Sequence, residues 1–180
     1  MNKQNQKLLL KLARKTIENN FRHKDYDLEN VLAEFREKKG VFVTLQKDGR
    51  LRGCVGSIEP VKSIYDGVKE NALNAAFRDP RFSKLTEGEL KTVYLEISVL
   101  TPPKKLEYHS PEDLLGKLTG KEGVILERNH HRATFLPQVW EDLPGKEEFL
   151  EYLSIKAGLA AEAWKQTKIY VYFAEVFREE

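Results

Sequence analysis

The sequence predicts an α+β fold in which one or more largely antiparallel sheets carry flanking helices. Two segments read as hairpins, several isolated stretches show helical periodicity, and strands and helices do not alternate as a parallel sheet would require. A chain of 180 residues, 41% hydrophobic and 32% charged, suits one globular domain, with division into a large and a small subdomain as the alternative.

Leu9, Leu12, Ala13, Ile17 and Phe21 recur at spacings of three and four, which predicts an amphipathic helix from about Lys3 to Phe21. Asp27 to Phe35 reads as a short second helix ending near Gly40, or as an ordered loop. Val41-Phe42-Val43-Thr44-Leu45 is β-branched and aromatic, Asp48-Gly49 signals a tight turn, and Leu51 to Ile58 returns as the partner strand. Ile64, Val68, Ala72, Ala75 and Ala76 line one side of a helix that must stop before Asp79-Pro80, because proline disfavours helical geometry in the residue before it. Its alanine face would let it sit close to a sheet.

Thr92 to Leu100 alternates as a strand and is closed by Pro102-Pro103, which cannot donate to a ladder. A short helix is expected over Pro111 to Leu118, and a second hairpin over 123–127 and 133–136. Lys146 to Ala157 reads as a helix with Phe149, Leu150, Leu153 and Ala157 inward and Gly158 as its stop. Ile169 to Phe177 is dense enough in apolar residues for one buried strand.

The charge pattern narrows function. The 30 basic and 28 acidic residues give a net charge of +2 and are interspersed, so the whole-chain charge does not support an electrostatically driven nucleic-acid binder, although it leaves room for a local basic patch. The amino terminus leads into a charged amphipathic pattern without a signal peptide, and no apolar run could cross a membrane, so a cytoplasmic protein is expected. A single cysteine permits no internal disulfide and no multi-cysteine metal site. No phosphate-binding loop, dinucleotide fingerprint or serine-nucleophile motif is present.

That cysteine is the chain's most distinctive chemical feature, because Cys54 sits in Leu51-Arg52-Gly53-Cys54-Val55-Gly56. Strict alternation would put Arg52, Cys54 and Gly56 on one face. A guanidinium beside the thiol would favour thiolate, and Gly53 and Gly56 would let a substrate or backbone approach. A two-residue turn at Asp48-Gly49 would instead pair Arg52 with Leu45, Cys54 with Val43 and Gly56 with Val41, placing the sulfur among valines as a small hydrophobe. A shifted register would flip that face.

Beyond the hairpin, Asp79 and Arg81 of Asp79-Pro80-Arg81-Phe82 either meet a polar ligand or fix a turn. Glu96 and Ser98 share a strand face opposite Leu95, Ile97 and Val99, and either line a cleft or meet solvent. His130-His131 is a poor metal pair, since neighbours on a strand point apart, and no metal site is expected.

Gly40-Val41-Phe42-Val43-Thr44-Leu45 followed by Leu51-Arg52-Gly53-Cys54-Val55-Gly56-Ser57 resembles the AMMECR family, also known as AmmeMemoRadiSam system protein A. Asp79-Pro80-Arg81-Phe82, Glu96-Ile97-Ser98-Val99-Leu100, Phe135-Leu136-Pro137-Gln138-Val139 and Lys156-Ala157-Gly158-Leu159 look like further family blocks in family order. Val55 stands where the family more often carries isoleucine. The resemblance implies an α+β fold with a small accessory subdomain, and association, at least in genomes, with a Memo-like protein and a radical S-adenosylmethionine protein. It implies neither a reaction nor a cofactor. Gln138 and Lys156 enter the candidate substrate-binding set on those blocks alone, beside Gly53, Gly56, Arg81 and Ser98. If Cys54 acts, it is the thiolate nucleophile or redox centre, Arg52 binds an anion and stabilises the thiolate, and Asp79 or Glu96 handles the proton. The competing expectation is a non-catalytic binding or scaffold module for a protein partner or nucleic acid.

Overall fold

The structure, a computed structural model, describes residues 1–179, and antiparallel strand pairs with interspersed helices make it α+β. The chain forms two compact units, one comprising Met1–Leu100 with the segment from Glu175 onward, the other Thr101–Ala174. Among the described residues no helix is long and apolar enough to cross a membrane.

In the first unit, helix α1 spans Lys3–Asn20, capped by the Asn2 side chain, which accepts the Asn5 N–H. It buries Leu9, Leu12, Ala13 and Ile17. Helix α2, Ile64–Phe77, starts at Ser63, whose hydroxyl accepts the Asp66 N–H, and its buried Ala72, Ala75 and Ala76 provide the flat face that the sequence predicts. Strands β1 (Val41–Lys47), β2 (Arg50–Ser57), β3 (Val93–Leu100) and β8 (Ala174–Arg178) lie in the order β2-β1-β3-β8. Val43, Leu45, Leu95 and Ile97 are fully buried with Leu9, Leu12, Ile17, Phe35, Ile64 and Val68. Each such side chain contributes about 1.5–3 kcal/mol by leaving water.

The expected second helix is a single 3-10 turn at Ala33–Arg36, flanked by extended Leu32 and Glu37. One buried anchor, Phe35, is too little apolar surface to hold a longer helix.

In the second unit, β4 (Lys104–Leu106), β5 (Gly123–Arg128), β6 (His131–Phe135) and β7 (Lys168–Tyr172) are ordered β4-β7-β5-β6. Helix α3, Pro111–Lys117, begins with Pro111 behind its Ser110 cap. A short helix α4, Val139–Asp142, precedes α5, Lys146–Lys156, which turns Phe149, Leu150 and Leu153 inward as expected. Trp140 stacks on Phe149 at 3.6 Å between ring centroids, and Phe135 meets Phe149 edge-on at 5.2 Å. Gly158 ends α5 at φ +77°.

The single strand expected over Ile169 to Phe177 is two strands in different sheets, β7 and β8. The break falls at exposed Phe173, whose N–H donates to Thr101 Oγ1 and whose carbonyl accepts the Thr101 N–H. No glycine or proline marks it, so composition alone reads straight through.

The β1–β2 turn is the two-residue one expected, with Asp48 at φ 52° and Gly49 at φ 72°. Both lie in the left-handed region that a type I′ turn demands. Gly49→Ala is expected to cost about 1 kcal/mol in chemical denaturation from backbone strain alone, since nothing lies within 4 Å of where its Cβ would sit.

Candidate functional site

Register decides what Cys54 meets. Lys47 pairs with Arg50 and Gln46 with Leu51, but Leu45 pairs with Gly53, so Arg52 is an extra residue, a β-bulge. From there every β2 side chain is flipped relative to the unbroken hairpin expected from the turn. Cys54 lies opposite Thr44 rather than Val43, Gly56 opposite Phe42 rather than Val41, and Arg52 has no partner across the ladder rather than Leu45. Thr44 in turn faces Glu96 on β3, giving a polar row Cys54, Thr44, Glu96 across three strands. Cys54 is half-buried, and its sulfur accepts the Thr44 hydroxyl at 3.2 Å.

The bulge also re-aims Arg52, which corrects the expectation that it stands over the thiol. Its Nε donates to Glu89 Oε1 and its Nη2 to Glu89 Oε2, both at 3.1 Å, while Nη1 donates to the Ser83 carbonyl at 3.0 Å. Glu89 also accepts Lys47 Nζ at 3.2 Å and forms a reciprocal capping box with Thr86. These donors, Arg52 foremost, hold the Glu89 carboxyl well below the usual carboxylate range.

The cation that does approach the Cys54 segment is Arg81. α2 ends at Phe77 with Arg78 as its cap, and the following turn buries the Asp79 side chain to 2% exposure while leaving the Arg81 side chain 55% exposed. Asp79 Oδ2 accepts the Cys54 backbone N–H at 2.9 Å and Arg81 Nη2 at 2.7 Å. Its Oδ1 accepts the Arg81 N–H at 3.1 Å and Nε at 3.0 Å. Arg81 Nη2 also donates to the Cys54 carbonyl at 3.0 Å. Asp79 and Arg81 thus clamp both backbone polar groups of Cys54.

Electrostatics follow from this geometry. The Arg81 guanidinium beside Asp79 holds its carboxyl well below the usual range against the opposing effect of burial. That carboxylate is committed to the Cys54 N–H and to three Arg81 donors. Burial pushes the Cys54 thiol up; the Thr44 hydrogen bond and the Arg81 charge oppose it, while Asp79 and Glu96 reinforce it. The resting form of the sulfur at neutral pH is therefore the thiol.

The space beside the two glycines is already filled. A Cβ on Gly53 would lie 2.2 Å from the Ala75 carbonyl oxygen of α2, and one on Gly56 would lie 2.2 Å from the Phe42 ring. Backbone and ring, rather than a substrate, use the room. Glu96 is half-buried, and Ser98, one row along opposite Phe42, is buried.

Gln138 and Lys156 belong to the second unit. Gln138 precedes α4, and Lys156 Nζ donates to the Thr134 carbonyl at 2.9 Å and sits 4.8 Å from the Phe135 ring centroid. His131 opens β6, and its Nδ1 lies 2.9 Å from the Ala157 carbonyl at the end of α5, a position where only a ring N–H can bond. Among the described residues no three of His, Cys, Asp and Glu converge as a metal site.

Sequence reasoning missed Thr44 and Glu89. The Thr86-x-x-Glu89 spacing was a legible cap signal. Nothing in the residue types announced the bulge that brings Thr44 to the sulfur.

A model of the AMMECR1 family matches residues 10–177. A protein of Methanothermobacter thermautotrophicus is 42% identical over 182 residues, covering 96% of this chain and 93% of its own. One of Aquifex aeolicus is 37% identical over 181 residues, covering 95% and 91%. The crystal structure of an uncharacterized protein from Pyrococcus horikoshii matches with a TM-score of 0.88 at 34% identity, over 96% of this chain and 90% of that one. With the family pattern running through both units, the chain belongs to the AMMECR1 family.

Proposed function

We propose that the chain is a non-catalytic binding or scaffold module in which the Cys54 segment orders the sheet rather than reacting. The observation that carries this reading is the commitment of both nearby guanidiniums. Arg52 is engaged by Glu89 and Arg81 by Asp79, and burial pushes the Cys54 thiol up. A nucleophilic cysteine needs the opposite environment, with a cation or base stabilising thiolate. Near-balanced net charge favours a protein partner over nucleic acid. The family resemblance gives that partner as a Memo-like or radical S-adenosylmethionine protein.

Alkylation kinetics of the native protein across pH test the proposal. Iodoacetamide labelling is expected to be slow at pH 7 and to rise only above the ordinary thiol range, with the same profile in Arg52→Ala. Rapid labelling at pH 7 that slows in Arg52→Ala would overturn it and restore an enzyme, or enzyme subunit, working through a Cys54 thiolate.

A further inference from the structure

Each of the two sheets ends in two edge strands, and an edge strand presents a row of backbone donors and acceptors that another strand can use. Three of these edges are closed. On β2, the bulge at Arg52 breaks the row, Asp79 Oδ2 takes the Cys54 N–H at 2.9 Å, and Arg81 Nη2 covers the Cys54 carbonyl at 3.0 Å. On β6, Lys156 Nζ covers the Thr134 carbonyl at 2.9 Å. β4 is only three residues long, follows Pro102-Pro103 and carries Lys104 and Lys105.

β8, the remaining edge, is built differently. Its register on β3 is anchored twice, since the Phe173 carbonyl accepts the Thr101 N–H and the Glu179 N–H donates to the Leu95 carbonyl. Leu95 to Thr101 and Phe173 to Glu179 are both six steps, so the antiparallel ladder runs between the anchors without a bulge. Alternation then turns the backbone groups of Val176 and Arg178 away from β3. Among the described residues no side chain or loop hydrogen-bonds to them, and no proline interrupts the strand. Val176 is 41% exposed at its centre.

The charges beside this edge select what occupies it. α1 runs along the inner face of β8, where Gln6 Nε2 donates to Glu175 Oε1 and Arg14 Nε to Glu179 Oε1, each at 2.9 Å. Both acids of the strand are thereby engaged. Exposed Lys7 and Lys11 stand one turn apart on the same stretch of α1, with Lys7 next to the Gln6 that marks the level of Glu175. A second copy of β8 pairing antiparallel about Val176 would set Lys7 against its own counterpart, and like charges so placed repel.

We propose that the outer edge of β8 docks an extended, acidic segment of the partner protein, which adds to the sheet as a further strand. Backbone groups of Val176 and Arg178 supply the pairing. Carboxylates at alternate positions of the segment meet Lys7 and Lys11 on the helix side, and apolar residues between them cover Val176 on the other. The assignment rests on the binding-module reading, but its test leaves Cys54 untouched. A reactive thiol would remove that reading without imitating a failure at β8.

The probe is a capped seven-residue peptide alternating glutamate and valine, titrated into the nitrogen-15-labelled full chain. The Val176 and Arg178 amides are expected to shift and to exchange more slowly with solvent. A peptide with lysine in place of glutamate should not bind. Of two peptides N-methylated on alternate amides, one on the glutamates and one on the valines, one is expected to lose at least ~10-fold in affinity, because each blocks a single edge of the added strand. Val176→Pro removes only an outward N–H, which an edge tolerates, so it is expected to keep the parent's circular dichroism and lose the peptide. The N-methylated peptides make the same test on the unaltered protein. Lys7→Glu with Lys11→Glu is expected to weaken binding about 10-fold or more. Absence of shifts at Val176 and Arg178, equal binding of both N-methylated peptides, equal binding of the lysine peptide, or sedimentation showing the parent as a dimer that Val176→Pro splits would each overturn the assignment.

Discussion

Asp79→Ala is expected to destabilise the first unit by about 3 kcal/mol, because it strips a buried carboxylate from a charge-assisted network. The substitution orphans the Cys54 N–H and releases three Arg81 donations. Arg81 is largely exposed and can turn to water, which keeps the loss below that of a fully buried pair. The amide of Cys54 has no such escape, since the next residue inward, Gly53, is pressed against α2. Thermal unfolding should shift down by on the order of 10 °C. The sign of the pH dependence follows from the depressed carboxyl. Its stabilisation is complete above the unfolded aspartate pKa of about 4 and drains away as pH falls towards the lower folded value. Glu89 acts in the same direction. Asp79→Asn should therefore unfold more easily than the parent at pH 7, with the gap narrowing below pH ~4. A variant as stable as the parent at pH 7 would show that the clamp on Cys54 is incidental.

Local rules made most elements legible. Apolar periodicity marked α1, α2 and α5, the Asp48-Gly49 turn marked the first hairpin, and Asp79-Pro80 marked where α2 must end. What stayed hidden depends on long-range pairing. The β7–β8 break at Phe173 exists because neighbouring strands belong to different sheets, which residue type does not record. The bulge at Arg52 had the larger consequence. Alternation was the right rule, but one inserted residue moved the sulfur from the valines to Thr44 and turned the guanidinium to Glu89. The block Leu51 to Gly56 was thus legible as a strand, while the surroundings of its side chains were not readable from spacing.

Gly53→Ala is expected to cost about 3 kcal/mol, at the upper end for overpacking, because the obstacle is backbone. The added methyl would sit 2.2 Å from the Ala75 carbonyl oxygen and 3.1 Å from its carbon, so strand β2 and helix α2 must part. Two comparisons separate this cause from a general intolerance of alanine. Gly88→Ala, with φ −63° and nothing within 4 Å, should be neutral or slightly stabilising. Ala75→Gly should not rescue Gly53→Ala, because it leaves the obstructing carbonyl in place, and Phe42→Ala should rescue Gly56→Ala little, because it removes the ring at 2.2 Å but leaves the Val41 carbonyl oxygen 2.5 Å from the added methyl. The same displacement would pull the Cys54 amide from Asp79, which sits just beyond the end of α2. Faster alkylation of Cys54 in Gly53→Ala at fixed pH, under conditions where the variant remains folded, would link the close helix–strand approach to the shielding of the thiol. An unchanged rate would mean that the sulfur is protected by its own strand neighbours, Thr44 first among them.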